Sequence, residues 1–170
     1  MTVITILKNI FRPMITEFSE QDLTDMLDQI KPYTQGRIII LSLNLMRIGL
    51  PTFKISKIVN LILGRLNSKY IAVQSYSEFS SRSDRKFTRY HTPVTPYLST
   101  LSKMSFKLYP SKRLFSHTHS FILFGADTDI YNHTFTSAFG DDSTFSFFLE
   151  NDFSCLNIWA YLVETCTFLH

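Results

Sequence analysis

The side chains best suited to chemistry lie in the second half of the 170 residues. His117 and His119 alternate within Arg113-Leu114-Phe115-Ser116-His117-Thr118-His119-Ser120-Phe121. On an extended strand, residues two apart point to one face, so the two imidazoles would share a side. That is weak zinc spacing: no cysteine or third histidine is tied to the pair by a recognisable interval. Cys155 and Cys166 have neither C-x-x-C nor zinc-finger spacing, so no structural metal is expected. Further along, Phe139-Gly140-Asp141-Asp142-Ser143 sets two carboxylates and a hydroxyl before Phe147, Phe148 and Leu149. Ser143 can cap a short helix there, with acids favourably near its positive end. The same acids would draw a cationic amine. His170 closes the sequence after Thr167-Phe168-Leu169, with Glu164 the only nearby acid. Imidazole has a reference pKa of about 6.5 and can move protons near neutrality, but a terminal residue is ordinarily a frayed end.

The elements that must position these groups can be read from periodicity. Ser19-Glu20-Gln21-Asp22 approximates a capping box, with Asp where Glu or Gln is usual. Leu23, Met26, Leu27 and Ile30 then form one apolar stripe, and Pro32 is expected to end the helix. After Gly36, Arg37–Leu43 is β-branched and nearly continuously apolar, the pattern of a strand buried on both faces. Ile55, Ile58, Val59, Ile62, Leu63 and Leu66 mark a second helix, and Lys69–Gln74 the next strand. Strand, helix and strand at this interval predict a parallel pair joined by a right-handed crossover. Ser75–Thr95 is polar and aperiodic, and a loop of that length usually binds something. A third helix is expected over Pro96–Tyr109, a short strand over Ser120–Phe124 and a last strand over Cys155–Tyr161. The alternation points to an α/β fold with a mainly parallel sheet flanked by helices.

Composition supports a folded domain: 45% hydrophobic and 18% charged residues. Of 16 phenylalanines, 11 lie between Phe106 and Phe168. The carboxyl-terminal half is therefore expected to be buried, or to expose apolar surface where a further segment packs. The net charge is +3. Arg82, Arg85, Lys86 and Arg89 are interrupted by Asp84 and Phe87, which fits a solvated loop face or a phosphate-contacting patch. Met1–Ile10 lacks a basic segment followed by a long apolar one. The apolar runs fall far short of the ~20 residues that span a bilayer. A cytoplasmic protein with reduced thiols is the expectation.

One ordered series links the candidate groups: Thr92-Pro93, then Arg113 and His119-Ser120, then Phe139–Ser143, then Thr167–His170. In that order and at those intervals the sequence resembles the aminoglycoside 3-N-acetyltransferase family. It is most similar to members devoted to amino-sugar biosynthesis rather than antibiotic resistance. The resemblance covers residues 36–170 and is strongest from Phe87 onward. It implies acetyl-CoA as cosubstrate, no metal, and a small-molecule amine as partner. No nucleic acid or membrane is implied, and a dimer is compatible. In the family, the histidine matching His170 is the catalytic base, and an acid a few positions later orients it. The sequence stops at His170, so the expectation is a single domain, 1–170, lacking the carboxyl-terminal part of the family fold.

The same resemblance assigns coenzyme contacts to Ser42, Asn44, Arg47, Arg113, His119, Ser120 and Ser143. Ser42–Gly49 falls on the family's strand-to-turn segment, a His-Ser-Ser-Leu run followed by Gly. Leu45 and Gly49 fit it, while Ser42 and Leu43 replace the His and the first Ser. A backbone turn there could still hold a pyrophosphate. Arg113, Thr118, His119 and Ser120 fit the family's Arg-to-His-Ser run, whereas Leu114, Ser116 and His117 depart from it. Phe79–Pro93 is similar to a lid-like insertion over the acceptor. The glycines usual after the last strand are replaced within Trp159-Ala160-Tyr161-Leu162. Two other readings compete. One is an inactive, truncated family member. The other is a non-enzymatic module binding an anionic polymer through Arg82–Arg89, against which the weak net charge and the lone interleaved Phe87 count.

Overall fold

A computed structural model describes residues 17–44, 50–76, 98–116, 119–125 and 128–158. Its first helix, α1 (Glu20–Ile30), opens with the expected box. The Ser19 hydroxyl accepts the Asp22 amide at 3.1 Å, and the Asp22 carboxylate accepts the Ser19 amide at 3.0 Å. Leu23, Leu27 and Ile30 are buried and Met26 is half-buried. Pro32 does not stop the chain turning. It enters a 3-10 turn, Lys31–Tyr33, near its start, where the missing N–H is not required.

The central strand β2 (Ile38–Leu43) follows, and β4 (Tyr70–Gln74) lies parallel beside it. Ile38 is opposite Tyr70 and Leu41 opposite Val73. The connection carries α2 (Ile55–Arg65), whose Ile58 and Ile62 are packed into the core on one face of this sheet. Between β2 and α2, β3 (Leu50–Pro51) pairs in parallel with β1 (Glu17–Phe18) as a small separate ribbon. On the other side of β2 runs β8 (Phe153–Ile158), also parallel and in register from Ile38–Phe153 to Leu43–Ile158. It begins two residues before the strand expected at Cys155, and the expected end at Tyr161 lies outside the described residues.

Beyond β4 the sheet becomes mixed. The stretch Arg113–Phe121 is a reversal rather than one strand. In it β5 (Arg113–Ser116) and β6 (Phe121–Phe124) pair antiparallel, with Leu114 opposite Phe121. β6 also runs antiparallel to β4, and β7 (Thr134–Phe135) adds in parallel outside β5. The six-strand order is β7-β5-β6-β4-β2-β8. The shared-face argument for His117 and His119 therefore fails: His119 lies in the connection between the strands, and His117 lies outside the described residues. Gly125, just past β6, has φ +85°, and a Cβ there would lie 3.4 Å from the Lys69 carbonyl, so a side chain is disfavoured.

Alternation along β2 sorts two cores. Ile39, Leu41 and Leu43 face α1, α2 and Leu101 of α3 (Thr100–Leu108), together with Ile71, Val73, Ile122 and Phe124. The third helix is thus described from Thr100, capped by Ser99, not from Pro96, and its Leu108 is exposed. Ile38 and Ile40 face the opposite side, with Phe121, Leu123, Phe153 and Cys155. That side is covered by Tyr131 of the 3-10 segment Thr128–Asn132, by Phe135, and by Phe145 and Phe148 of α4 (Thr144–Glu150). Phe121, Phe124 and Phe148 are buried, whereas Phe139 and Leu149 are exposed, so burial takes most but not all of the aromatic surplus.

Because Ile40 is wholly enclosed, Ile40→Ala should cost about 2–5 kcal/mol. Ser19→Ala, which removes one cap of an outer helix, should cost about 0.5–2 kcal/mol. Urea unfolding of both variants checks the order. Equal losses would mean that β2 is not the centre of the core.

Candidate functional site

The candidate residues collect where β2 and β4 end. Half-buried Ser42 lies opposite Asn157, and half-buried Asn44 donates its amide to the Ile158 carbonyl at 3.1 Å. One strand over, Ser75 leaves β4 with both backbone groups held. Its amide donates to the Ser120 carbonyl at 2.9 Å, and its carbonyl accepts Nη2 of Arg113 at 2.8 Å. Because β6 is antiparallel to β4, its beginning at Ser120, not its end, lies at this edge.

Arg113 is fully buried, its guanidinium 4.8 Å from the Phe106 ring centre and 5.4 Å from that of Phe115. Burial lowers its pKa to about 10, which still leaves it charged at neutral pH. Such a cation in an aromatic sleeve fixes backbone here. Ser120 is also fully buried. Its hydroxyl donates to the Ser116 carbonyl at 2.6 Å and accepts the Ser116 amide at 3.0 Å, closing the β5–β6 connection. Ser143 acts similarly at α4: its hydroxyl accepts the Ser146 amide at 3.0 Å and donates to the Gly140 carbonyl at 2.6 Å. The hydroxyls of Ser120 and Ser143 and the Arg113 head are thus built into the frame.

His119 is different. Its ring is half-buried among Tyr76, Phe139 and Phe145, with ring centres 5.0, 4.9 and 5.0 Å away. Its carbonyl accepts the Thr144 hydroxyl at 2.7 Å, which ties the turn to the start of α4. Burial pushes its pKa below the ordinary histidine value, opposed in part by a hydrogen bond with the Ala138 backbone, so the ring is mainly neutral at pH 7. A neutral imidazole can donate at one nitrogen and accept at the other.

The loop before α4 corrects the reading of Asp142 as an acid for a cationic amine, through partners that sequence reasoning missed. His133 Nε2 lies 2.7 Å from Asp142 Oδ1, and Asp142 Oδ2 accepts the Thr136 amide at 3.1 Å and its hydroxyl at 2.5 Å. The Thr136 bonds, then His133, hold the Asp142 carboxyl below its usual range. This closure is complete above the ordinary carboxyl range and is lost as pH falls through the lowered value. Asp142 is therefore committed to the loop, and Asp141, exposed, is the acid turned to solvent. The one sequence signal was an Asp next to Gly-Asp, since Asp tolerates the left-handed conformation found at Asp142 (φ +55°). No spacing rule links it to His133. Arg47, the Arg82–Arg89 cluster, the Phe79–Pro93 insertion and His170 lie outside the described residues.

The geometry defines an α/β domain with a mixed, mostly parallel six-stranded sheet; among the described residues, the turn before β6 and the start of α4 meet at the carboxyl end of β4. Solved structures share this fold. AAC-VIa with sisomicin bound superposes in two structures, with TM-scores of 0.65 and 0.64 at 18% identity. These matches cover 85% of this chain and 61% and 60% of AAC-VIa. YokD from Bacillus subtilis superposes with a TM-score of 0.56 at 17% identity, covering 72% of this chain and 57% of YokD. The chain thus spans about three fifths of the length of these proteins, and identity this low shows the fold alone. No protein-family model and no curated protein matches the sequence.

If Ser120 serves the frame, Ser120→Ala should cost about 1–3 kcal/mol, because the Ser116 amide and carbonyl lose their buried partner. Chemical denaturation measures this. Unchanged stability would return the hydroxyl to the list of ligand contacts.

Proposed function

We propose that this chain, as a single domain, carries an acetyl-CoA-dependent N-acetyltransferase that acts on an amine of an amino sugar or aminoglycoside. One observation carries the reading: the motif series read in the sequence resembles the aminoglycoside 3-N-acetyltransferases, and the fold is similar to that of AAC-VIa, a protein of that kind solved with sisomicin bound.

In this reading the thioester of acetyl-CoA supplies the acetyl group. His170 takes the proton of the acceptor amine, and the nitrogen attacks the thioester carbon. The C–N bond forms as the C–S bond breaks, and the coenzyme leaves as its thiol. Ser42, Asn44 and Arg47 serve the coenzyme from the end of β2. His119 lines the neighbouring edge, while Arg113, Ser120 and Ser143 hold the shape of that edge. Asp141 offers charge attraction to a protonated amine.

Two measurements test this. Calorimetry with acetyl-CoA should show binding to the chain and equally to His170→Ala, because loss of a general base acts on the chemical step. Thiol release with a panel of amino sugars should fall about 10²–10⁴-fold in that variant. Turnover unchanged by the substitution removes His170 as the base. Absence of coenzyme binding removes the reading altogether.

A further inference from the structure

We propose that His133 and Asp142 are a positioning pair: by latching the loop from Thr136 to Ser143, they set the place of the His119 ring. The argument follows a continuous line of contacts. Phe135 of β7 is buried in the sheet's second core, and the His133 ring packs edge-on against it with ring centres 4.5 Å apart. His133 Nε2 meets Asp142 Oδ1 at 2.7 Å. Asp142 reaches back because its backbone is left-handed, and it bonds Thr136 through Oδ2. Its own carbonyl accepts the Ser137 amide at 3.2 Å. At the other end, Ser143 donates to the Gly140 carbonyl. The loop is therefore closed on itself at both ends, and His133 ties that closure to the ring of Phe135.

What the loop carries is the wall of His119. Ala138 makes the backbone hydrogen bond to that residue, and the Phe139 ring lies 4.9 Å from its ring. Phe139 is itself 57% exposed. Beyond His119, the ring stacks on Phe145 at 5.4 Å, and the Phe139 carbonyl accepts the Ser137 hydroxyl, a bond within the same loop. Its position depends on the polar closure. Among the described residues, the other rings packed on the imidazole are Tyr76 from the end of β4 and Phe145 from α4; of these, Tyr76 is titratable and Phe145 fixed by the core. The loop is the adjustable side. Opening it would hydrate His119 and remove the Ala138 bond together. Burial is the larger of the two influences, so the net result is a rise toward the ordinary histidine value. The latch stands on these contacts; that His119 then meets an acyl-transfer substrate rests on the proposed function.

The test uses the full chain and no turnover. Histidine side chains are labelled and titrated by NMR, with His119 assigned through His119→Gln, and exchange of the Thr136 and Ser137 amides reports loop closure. In Asp142→Ala the Thr136 amide should lose protection and the His119 midpoint should move upward. His133→Ala should do the same, whereas His133→Gln, which can still donate to Asp142, should restore both toward the parent. The Ala–Gln contrast at position 133 decides the matter even if Asp142→Ala fails to fold. A His119 midpoint unchanged while Thr136 loses protection overturns the proposal, as does full Thr136 protection in both Ala variants. Because acetylation is not the readout, failure of the proposed activity leaves this result standing, and the reverse holds too.

Discussion

Everything in this domain depends on one strand being buried on both sides. β2 alternates Ile38 and Ile40 against Ile39, Leu41 and Leu43, and each set is enclosed by a different layer. Fully burying an aliphatic side chain contributes about 1.5–3 kcal/mol, so a run of five makes the register of the strand strongly specified. A slip by one residue would exchange the two cores. Ser42 and Asn44 inherit their position from that register: they stand where the strand leaves the core because the apolar residues before them cannot shift.

The edge above the strands is held by polar groups at comparable stakes. Arg113, Ser120, Ser143 and Thr144 are buried, and each makes hydrogen bonds to backbone: Arg113, Ser120 and Thr144 on another turn or strand end, Ser143 within its own helix cap. A buried polar group left unpaired costs about as much as a core cavity. These residues therefore read as motif-like in sequence for reasons of architecture as well as chemistry. A serine before a helix and a serine closing a hairpin look the same, on paper, as serines awaiting a ligand. Coordinates separate the two cases by showing where the hydroxyls are spent.

Much of the first half was legible from local signals. The Ser19–Asp22 box follows from capping chemistry, the stripe of Leu23, Leu27 and Ile30 from the helical period, and the parallel β2–β4 pair from a continuous apolar run and a helix-length interval between two strands. Local signals failed where long-range pairing decides. Nothing in Arg113–Phe121 announces that the chain reverses, because the apolar residues on both arms suit either one long strand or a hairpin. The His133–Asp142 contact was invisible for the same reason. It joins residues nine apart through a loop whose path is set by an aspartate with φ +55°, and no period describes that. The order of motifs was legible; their geometry was not.

The reversal at β6 also explains how the candidate edge is assembled. In a wholly parallel sheet, each strand brings only the loop after it to the carboxyl edge, where ligands of open α/β sheets bind. An antiparallel β6 brings the loop before it to the same edge, so His119 and Ser120 arrive beside Ser75 although they precede their strand. Thr144 takes up the His119 carbonyl from the other side. The imidazole is thus carried by a hairpin turn clamped between two strand ends and a helix start. Its outer wall is the loop from Thr136 to Ser143. Where the imidazole sits is therefore decided by β4, β6 and the start of α4, whereas its outer side is decided by the polar bonds of that loop.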